Sequence, residues 1–287
     1  MSALKHAAVR KSMLLALDFD KTLTVADTFS AIASVAKHKH PNKRDFIWFT
    51  DKYMEDYAQH ESHWSPIIHK HAENKSVTRS LMGQYLESLR QVENASLERI
   101  RDYKILAGVS RVELYNGGRQ ALFQPGAADV INYFLRVPNC HVCVISVNWS
   151  TDFIQGALDA NGVSNQPPIS VYCNDLKFSK RTGLSTGTMY PRLVVASDKV
   201  AVLETQREVL ASRCGSKPRI VYAGDSLTDL PALLSADVGL LVGQNDHVAK
   251  WCKLLDVEFS KPIFDENDKT LHRLLGWGSA IDIIENS

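Results

Sequence analysis

Short apolar, β-branched runs alternate with helical stretches over two parts of the chain, from about Lys11 to Leu23 and again from about Gln124 onward. In the first part the run at Leu14 to Leu17 leads straight into Asp18 and Asp20, as "LLALDFDKTLT". In the second, "NCHVCVIS", "SVYCNDL", "RLVVAS", "RIVYAGD" and "DVGLLVG" each stop near Gly, Ser or Asp. Segments such as "AADVINYFLR" and "KVAVLETQREVLASR" stand between them. Apolar runs bounded by turn residues and separated by helical patterns predict the strands of a mostly parallel sheet with helical crossovers.

From about Ala26 to Arg119 the texture turns helical. "SVTRSLMGQYLESLRQV" sets Val77, Leu81, Tyr85, Leu89 and Val92 at helical spacing, and Ser110 with Glu113 makes a capping-box start for the stretch ending at Gly117 and Gly118. The expected architecture is α/β. A Rossmann-like parallel-sheet core takes residues 1–26 and 120–287, and an all-helical cap, residues 27–119, is inserted after the first strand.

Composition narrows the function classes. The chain has 287 residues, 45% hydrophobic, enough for a sizeable core, and its 33 basic and 32 acidic residues leave a formal charge of +1. Neither sign forms a long run, so no footprint for nucleic acid or a membrane surface is present, and a small molecule is the expected partner. No stretch approaches the roughly 20 apolar residues of a spanning helix, and the run at Met13 to Leu17 meets charge too early for a secretory segment. A cytoplasmic protein is expected. Five cysteines, an odd number, imply reduced thiols. Cys140 and Cys143 fall on opposite faces of an expected strand, which favours core packing over a metal or redox pair. His60 with His63, and His69 with His71, lack a matching cysteine or carboxylate pattern and are expected on a solvated helical face.

Asp18 and Asp20 would stand where a parallel sheet opens onto its ligand crevice. Two carboxylates so close repel each other unless a positive charge lies near, and Mg²⁺, a hard cation that takes one or two carboxylates together with waters and a phosphate, would supply it. A turn or helix cap is the alternative use of an Asp-x-Asp at a strand end. Three further stretches favour chemistry. "VYAGDSLTDLPALL" puts Asp225 at a strand end and Asp229 at the next helix start, "CVISVNWS" ends a strand at Ser146, and "SDKVAVLE" puts Lys199 at a helix start. Ser146 could donate to a phosphate oxygen, and Lys199 could balance the carboxylates.

"DFDKTLT", "ISVN", "SDK" and "GDSLTD", in that order, resemble the four motifs of the haloacid dehalogenase superfamily of phosphatases, in the branch similar to phosphoserine phosphatases. "TDKYMEDYAQ", "VISVNWSTDFI" and "GDSLTDLPALLSADVGLLVG" resemble, more narrowly, the phosphatase domains of plant bifunctional enzymes that dephosphorylate thiamine monophosphate. The resemblance implies Asp18 as nucleophile and Asp20 as general acid and base. It implies Mg²⁺ held by Asp18, Asp225 and the Asp20 carbonyl, with Asp229 orienting metal-bound water. Thr22, Ser146 and Lys199 would contact or neutralise the phosphoryl group, and Lys21 has no catalytic role.

Specificity is expected elsewhere. Asp27, at the root of the cap, would face a positively charged part of the substrate or cap the helix of "TFSAIASVA". Trp149 and Asp152 follow Ser146 closely and are further candidates. Trp48, Tyr53 and Tyr57 could stack on a heteroaromatic cation or form cap core. The expected substrate is a small phosphorylated metabolite, cationic or amine-bearing, with thiamine monophosphate in the lead. A metabolite-sensing or phospho-receiver-like binding protein is the rival reading. An ion-pump fragment, suggested by Asp20-Lys21-Thr22, is disfavoured by Leu23 and by the lack of membrane spans.

Overall fold

The computed structural model describes residues 12–37, 39, 44–164, 166–260, 262–263 and 266–287. Lys11, the expected start of the first β-rich stretch, lies outside them with residues 1–10. The elements run β1 (Met13–Leu17), α1 (Phe29–Lys37), α2 (Phe46–Glu73), α3 (Arg79–Ser88), α4 (Arg90–Asp102), β2 (Ala107–Ser110), α5 (Arg111–Gly118), α6 (Ala127–Leu135), β3 (Cys140–Ile145) and α7 (Thr151–Ala160). They continue with β4 (Ser170–Tyr172), β5 (Asp175–Phe178), β6 (Leu184–Tyr190), α8 (Ala196–Cys214), β7 (Arg219–Gly224), α9 (Leu230–Ser235), β8 (Val238–Val242), α10 (Asp246–Leu254), β9 (Pro262–Ile263), β10 (Glu266–Leu274) and α11 (Ala280–Asn286).

The main sheet has the order β4-β3-β1-β7-β8-β10-β9, with six parallel strands and β9 antiparallel at one edge. Its strands β1, β3, β7 and β8 are buried almost throughout, which is why they read as apolar runs. Leu15 and Leu17 join one core with Phe134 of α6 and Phe153 of α7, whereas Leu14 and Ala16 join another with Leu203 of α8 and Trp251 of α10. Each such leucine contributes about 1.5–3 kcal/mol on burial. Cys140 and Cys143 divide between the same two cores, as the strand period requires, and burial pushes both thiols up to about 12. They are packing residues, not thiolates.

Between β1 and β3 the chain forms helices α1 to α4, in the segment expected as a cap. The capping box at Ser110 and Glu113 is present, and the short strand before it, β2, joins β6 and β5 in a second sheet. "RLVVAS" was expected as a strand but leads into α8 as a loop. Val194 and Val195 give their N–H groups to the Asp198 carboxylate, at 2.7 and 3.0 Å, so neither donor is left for a ladder. β6, in "LSTGTMY", supplies the strand there instead. His60 also departs from expectation: it lies on the inner stripe of α2 with Tyr53, Tyr57 and Trp64, and its Nε2 sits 2.6 Å from Ser88 Oγ. His63 and His69 are exposed.

Helices α5 and α7 touch backbone to backbone. A Cβ on Gly156 would lie 2.0 Å from the Tyr115 carbonyl oxygen, and one on Gly118 would lie 1.9 Å from that of Phe153. Gly156→Ala should therefore cost about 3 kcal/mol in denaturant unfolding. Gly83→Ala, in α3 with open space around it, should gain about 0.5–1 kcal/mol. Equal effects at the two positions would contradict this packing.

Candidate active site

After β1 the chain leaves to one side for β3 and returns on the other at β7, so the sheet order reverses at β1. Ligands of open parallel sheets bind outside the strand ends at such a switch point. Asp18 directly follows β1, Ser146 follows β3 and Asp225 follows β7, so one turn of sequence after each of three adjacent strands meets at one place.

Asp18, Asp225 and Asp229 each offer a carboxylate oxygen, all within 4.8 Å of one another. Lys199, in the first turns of α8, reaches between them: its Nζ donates to Asp18 Oδ1 and Asp229 Oδ1, both at 2.7 Å. Asp18, Lys199 and Asp229 are 4%, 1% and 0% exposed, so these charges act in a medium that screens them little. Asp229 is saturated. Tyr222 Oη donates to its Oδ1 at 2.8 Å, and the Ser226 N–H and hydroxyl donate to its Oδ2. Burial alone would raise the Asp229 carboxyl, but Lys199, Ser226 and Tyr222 hold it below the usual range. Gly224 makes room for it, since a Cβ there would meet Asp229 Cγ at 2.5 Å.

The remaining carboxylates are short of positive charge. Burial and the charge of Asp229 push Asp18 well above the usual range in spite of Lys199, and they push Asp225 up to about 7. Three carboxylates against one ammonium leave two negative charges when all are ionised. The Thr22 hydroxyl lies 3.2 Å from both Asp18 Oδ2 and Asp225 Oδ1. The loop that carries it is tied down by Trp277, whose Nε1 donates to the Thr22 carbonyl at 3.1 Å.

Asp20 turns toward the cap. Its Oδ1 accepts from the Thr28 N–H and hydroxyl at 2.8 and 2.6 Å, and its Oδ2 accepts from Asn148 Nδ2 at 3.1 Å. Burial raises its carboxyl, and these neutral donors offset only part of the shift. In the turn after β3 the Ser146 hydroxyl oxygen accepts the Asn148 N–H at 3.1 Å, which leaves its own proton to donate elsewhere. Thr28, Asn148, Tyr222 and Trp277 were not singled out from sequence. Ser226, three residues before Asp229, follows an S-x-x-D pattern that could have been noticed.

The specificity candidates are dispersed. Asp27 is exposed, and its Oδ1 accepts the Phe29 N–H at 3.0 Å at the start of α1. Trp149 is buried against Phe29 and Phe46, with ring centroids 4.6 and 6.2 Å away. Asp152 pairs with Arg111 at 2.8 Å. In the cap, Trp48 packs on Phe49 and Tyr103, and the Tyr53 hydroxyl donates to Glu93.

No family model matches the chain. It is 28% identical over 241 residues to a CTO1 family protein of Schizosaccharomyces pombe, across 81% of this chain and 82% of that protein. It is 24% identical over 276 residues to the bifunctional TH2 protein, mitochondrial, of Arabidopsis thaliana. That match takes in 89% of this chain and 43% of the plant protein, so the chain spans less than half of it. Among solved structures, a phospho-aspartyl intermediate analogue of phosphoserine phosphatase superposes with a TM-score of 0.51 at 17% identity, over 86% of this chain and 93% of that one. In fold the chain is similar to phosphoserine phosphatase and to a had family hydrolase of Salmonella enterica, the latter with a TM-score of 0.55 at 14% identity over 97% of this chain and 73% of that one.

An all-oxygen, buried, negatively charged donor set fits a hard divalent cation such as Mg²⁺. Asp18 and Asp225 are the residues with carboxylate charge to give, because Asp229 is already spent on four donors. An acid whose carboxyl is raised in the folded protein binds its proton more tightly folded than unfolded, so it stabilises most at low pH. Without divalent cation, the melting temperature should fall as pH rises from 3.8, the ordinary value for Asp225, through about 7. Mg²⁺ should restore it at the upper end, and Asp225→Asn should remove both the slope attributed to Asp225 and the response to Mg²⁺. A melting temperature indifferent to Mg²⁺ above pH 7 would contradict the cation site.

Proposed function

We propose that the chain is a Mg²⁺-dependent phosphomonoester hydrolase that works through an aspartyl-phosphate on a small amine-bearing or cationic ester, thiamine monophosphate being the lead candidate. One observation carries this reading. Asp18 and Asp20, two residues apart, both have carboxyls raised by burial but face different partners: Asp18 is ion-paired to the Lys199 ammonium in an acidic cluster, whereas Asp20 accepts only from the neutral donors Thr28 and Asn148. Two carboxyls set apart in this way suit a nucleophile and a general acid.

In the first step an Asp18 oxygen bonds to phosphorus as the ester P–O bond breaks, and Asp20 gives its proton to the leaving oxygen. In the second, Asp20 as carboxylate takes a proton from a water that attacks the same phosphorus, and Asp18 departs as carboxylate. Lys199 holds Asp18 aimed throughout. Thr22 and Ser146 offer hydroxyl protons to phosphoryl oxygens, which carry the charge that develops. A bound divalent cation supplies further positive charge at those oxygens and offsets the acids around them. Five unpaired cysteines fit a reducing compartment, and we place the protein in the cytoplasm. The resemblance of the motifs to plant thiamine monophosphate phosphatases supports the lead substrate.

Phosphate release with Mg²⁺ across a panel of phosphomonoesters is the test. Asp18→Asn should abolish turnover on every ester while the melting curve is kept. Asp20→Asn should lower kcat by about 10²–10⁴ on alkyl esters, and by far less on p-nitrophenyl phosphate, whose leaving group needs no proton. Equal losses on both kinds of ester would remove the general-acid role, and a wild-type protein that hydrolyses nothing would favour a binding protein.

A further inference from the structure

The cap holds a carboxylate for which the chemistry above has no use. Glu93 lies on α4, and its Oε1 accepts a 2.8 Å hydrogen bond from the Tyr53 hydroxyl on α2. It is half-buried, and burial pushes its carboxyl up to about 7. Among the described residues no basic side chain is paired with it. Arg90 is taken by Glu87 and Asp198, Arg99 by Asp56 and Arg101 by Asp102. Its second oxygen accepts no hydrogen bond from the described residues and is not sealed from solvent. The Tyr53 and Tyr57 rings stack beside it, with centroids 6.2 Å apart and planes 28° from parallel.

Tyr53 feels the charges of both Glu93 and Asp27, and Asp27 in turn acts on Asp20. Asp27, at the start of α1, is thus within electrostatic range of both Asp20 and Tyr53. A half-buried carboxylate without a cation is costly unless a ligand brings the cation, and flanking tyrosine faces attract the same kind of group.

We propose that Glu93 and Tyr53 are specificity-determining residues of the cap: Glu93 receives the positive charge of the leaving group, and the Tyr53 and Tyr57 rings receive its flat or alkylammonium face. This deepens the phosphatase reading and rests on it for the position of the phosphate. Tyr53 keeps its proton, since burial and the Glu93 charge raise its phenol, and so it orients the carboxylate by donation.

The experiment compares wild type, Glu93→Gln and Glu93→Asp in two assays. The first is kcat/KM on thiamine monophosphate and on p-nitrophenyl phosphate; the second is calorimetric binding of unphosphorylated thiamine, which needs no catalysis. Glu93→Gln is isosteric and removes a half-buried charge, so the fold is kept, as a melting curve checks. It should lower kcat/KM on the cationic ester at least tenfold, mainly through KM, and stay within twofold of wild type on the neutral ester. Thiamine binding should weaken by a similar factor, and Glu93→Asp should recover part of both. Equal losses on the two esters, or unchanged thiamine binding, would overturn the proposal while leaving the phosphatase reading intact. Binding of thiamine that depends on Glu93, in a protein that hydrolyses neither ester, would support the proposal and remove the phosphatase reading.

Discussion

The Lys199 ammonium, buried between Asp18 and Asp229, is the interaction on which the site depends. It ties the start of α8 to the end of β1 and to the turn after β7. Burial would normally strip its proton, but the two carboxylates hold it charged above the usual range. A buried pair of this kind is weak evidence for net stability, yet removing one partner leaves an unpaired charge and costs about 3–5 kcal/mol. The cluster therefore exists only as a set. Tyr222 and Ser226 saturate Asp229 so that it stays ionised, Gly224 leaves space for it, and the surplus of negative charge falls on Asp18 and Asp225, where a cation and a phosphoryl group would meet.

Much of this was legible in the chain. The apolar runs at β1, β3, β7 and β8 gave away buried strands, and the first three are each followed by the residue that reaches the site: Asp18, Ser146 and Asp225. The loop at Arg192 to Val195 was misjudged because local β-branched texture says nothing about where backbone donors go. There a carboxylate from the following helix takes them. Thr28 and Asn148 left no signal for a similar reason. They act on Asp20 from the cap root and from the turn after β3, and only the folded sheet brings those segments together. His60 belongs to a helical stripe that was visible in spacing but was outweighed by its polarity.

The division of labour follows the two parts of the fold. The sheet supplies charges fixed at strand ends, which in the proposed reaction would see the phosphate whatever it is attached to. The cap supplies long helices whose facing side chains differ in chemistry from the core: tyrosines, Glu93 and the Arg90 pair that reaches across to Asp198 beside Lys199. That last contact links the cap to the helix carrying Lys199, so the position of the cap and the position of the ammonium are not independent.

The central claim is that Asp18 becomes covalently phosphorylated. The most direct measurement is an acid quench during turnover, followed by borohydride reduction and peptide mapping. Reduction converts an acyl phosphate to homoserine. The account predicts homoserine at position 18 and at no other aspartate, absent when ester is withheld. Steady phosphate release with no modified residue, or with the modification at Asp20 or Asp225, would contradict it.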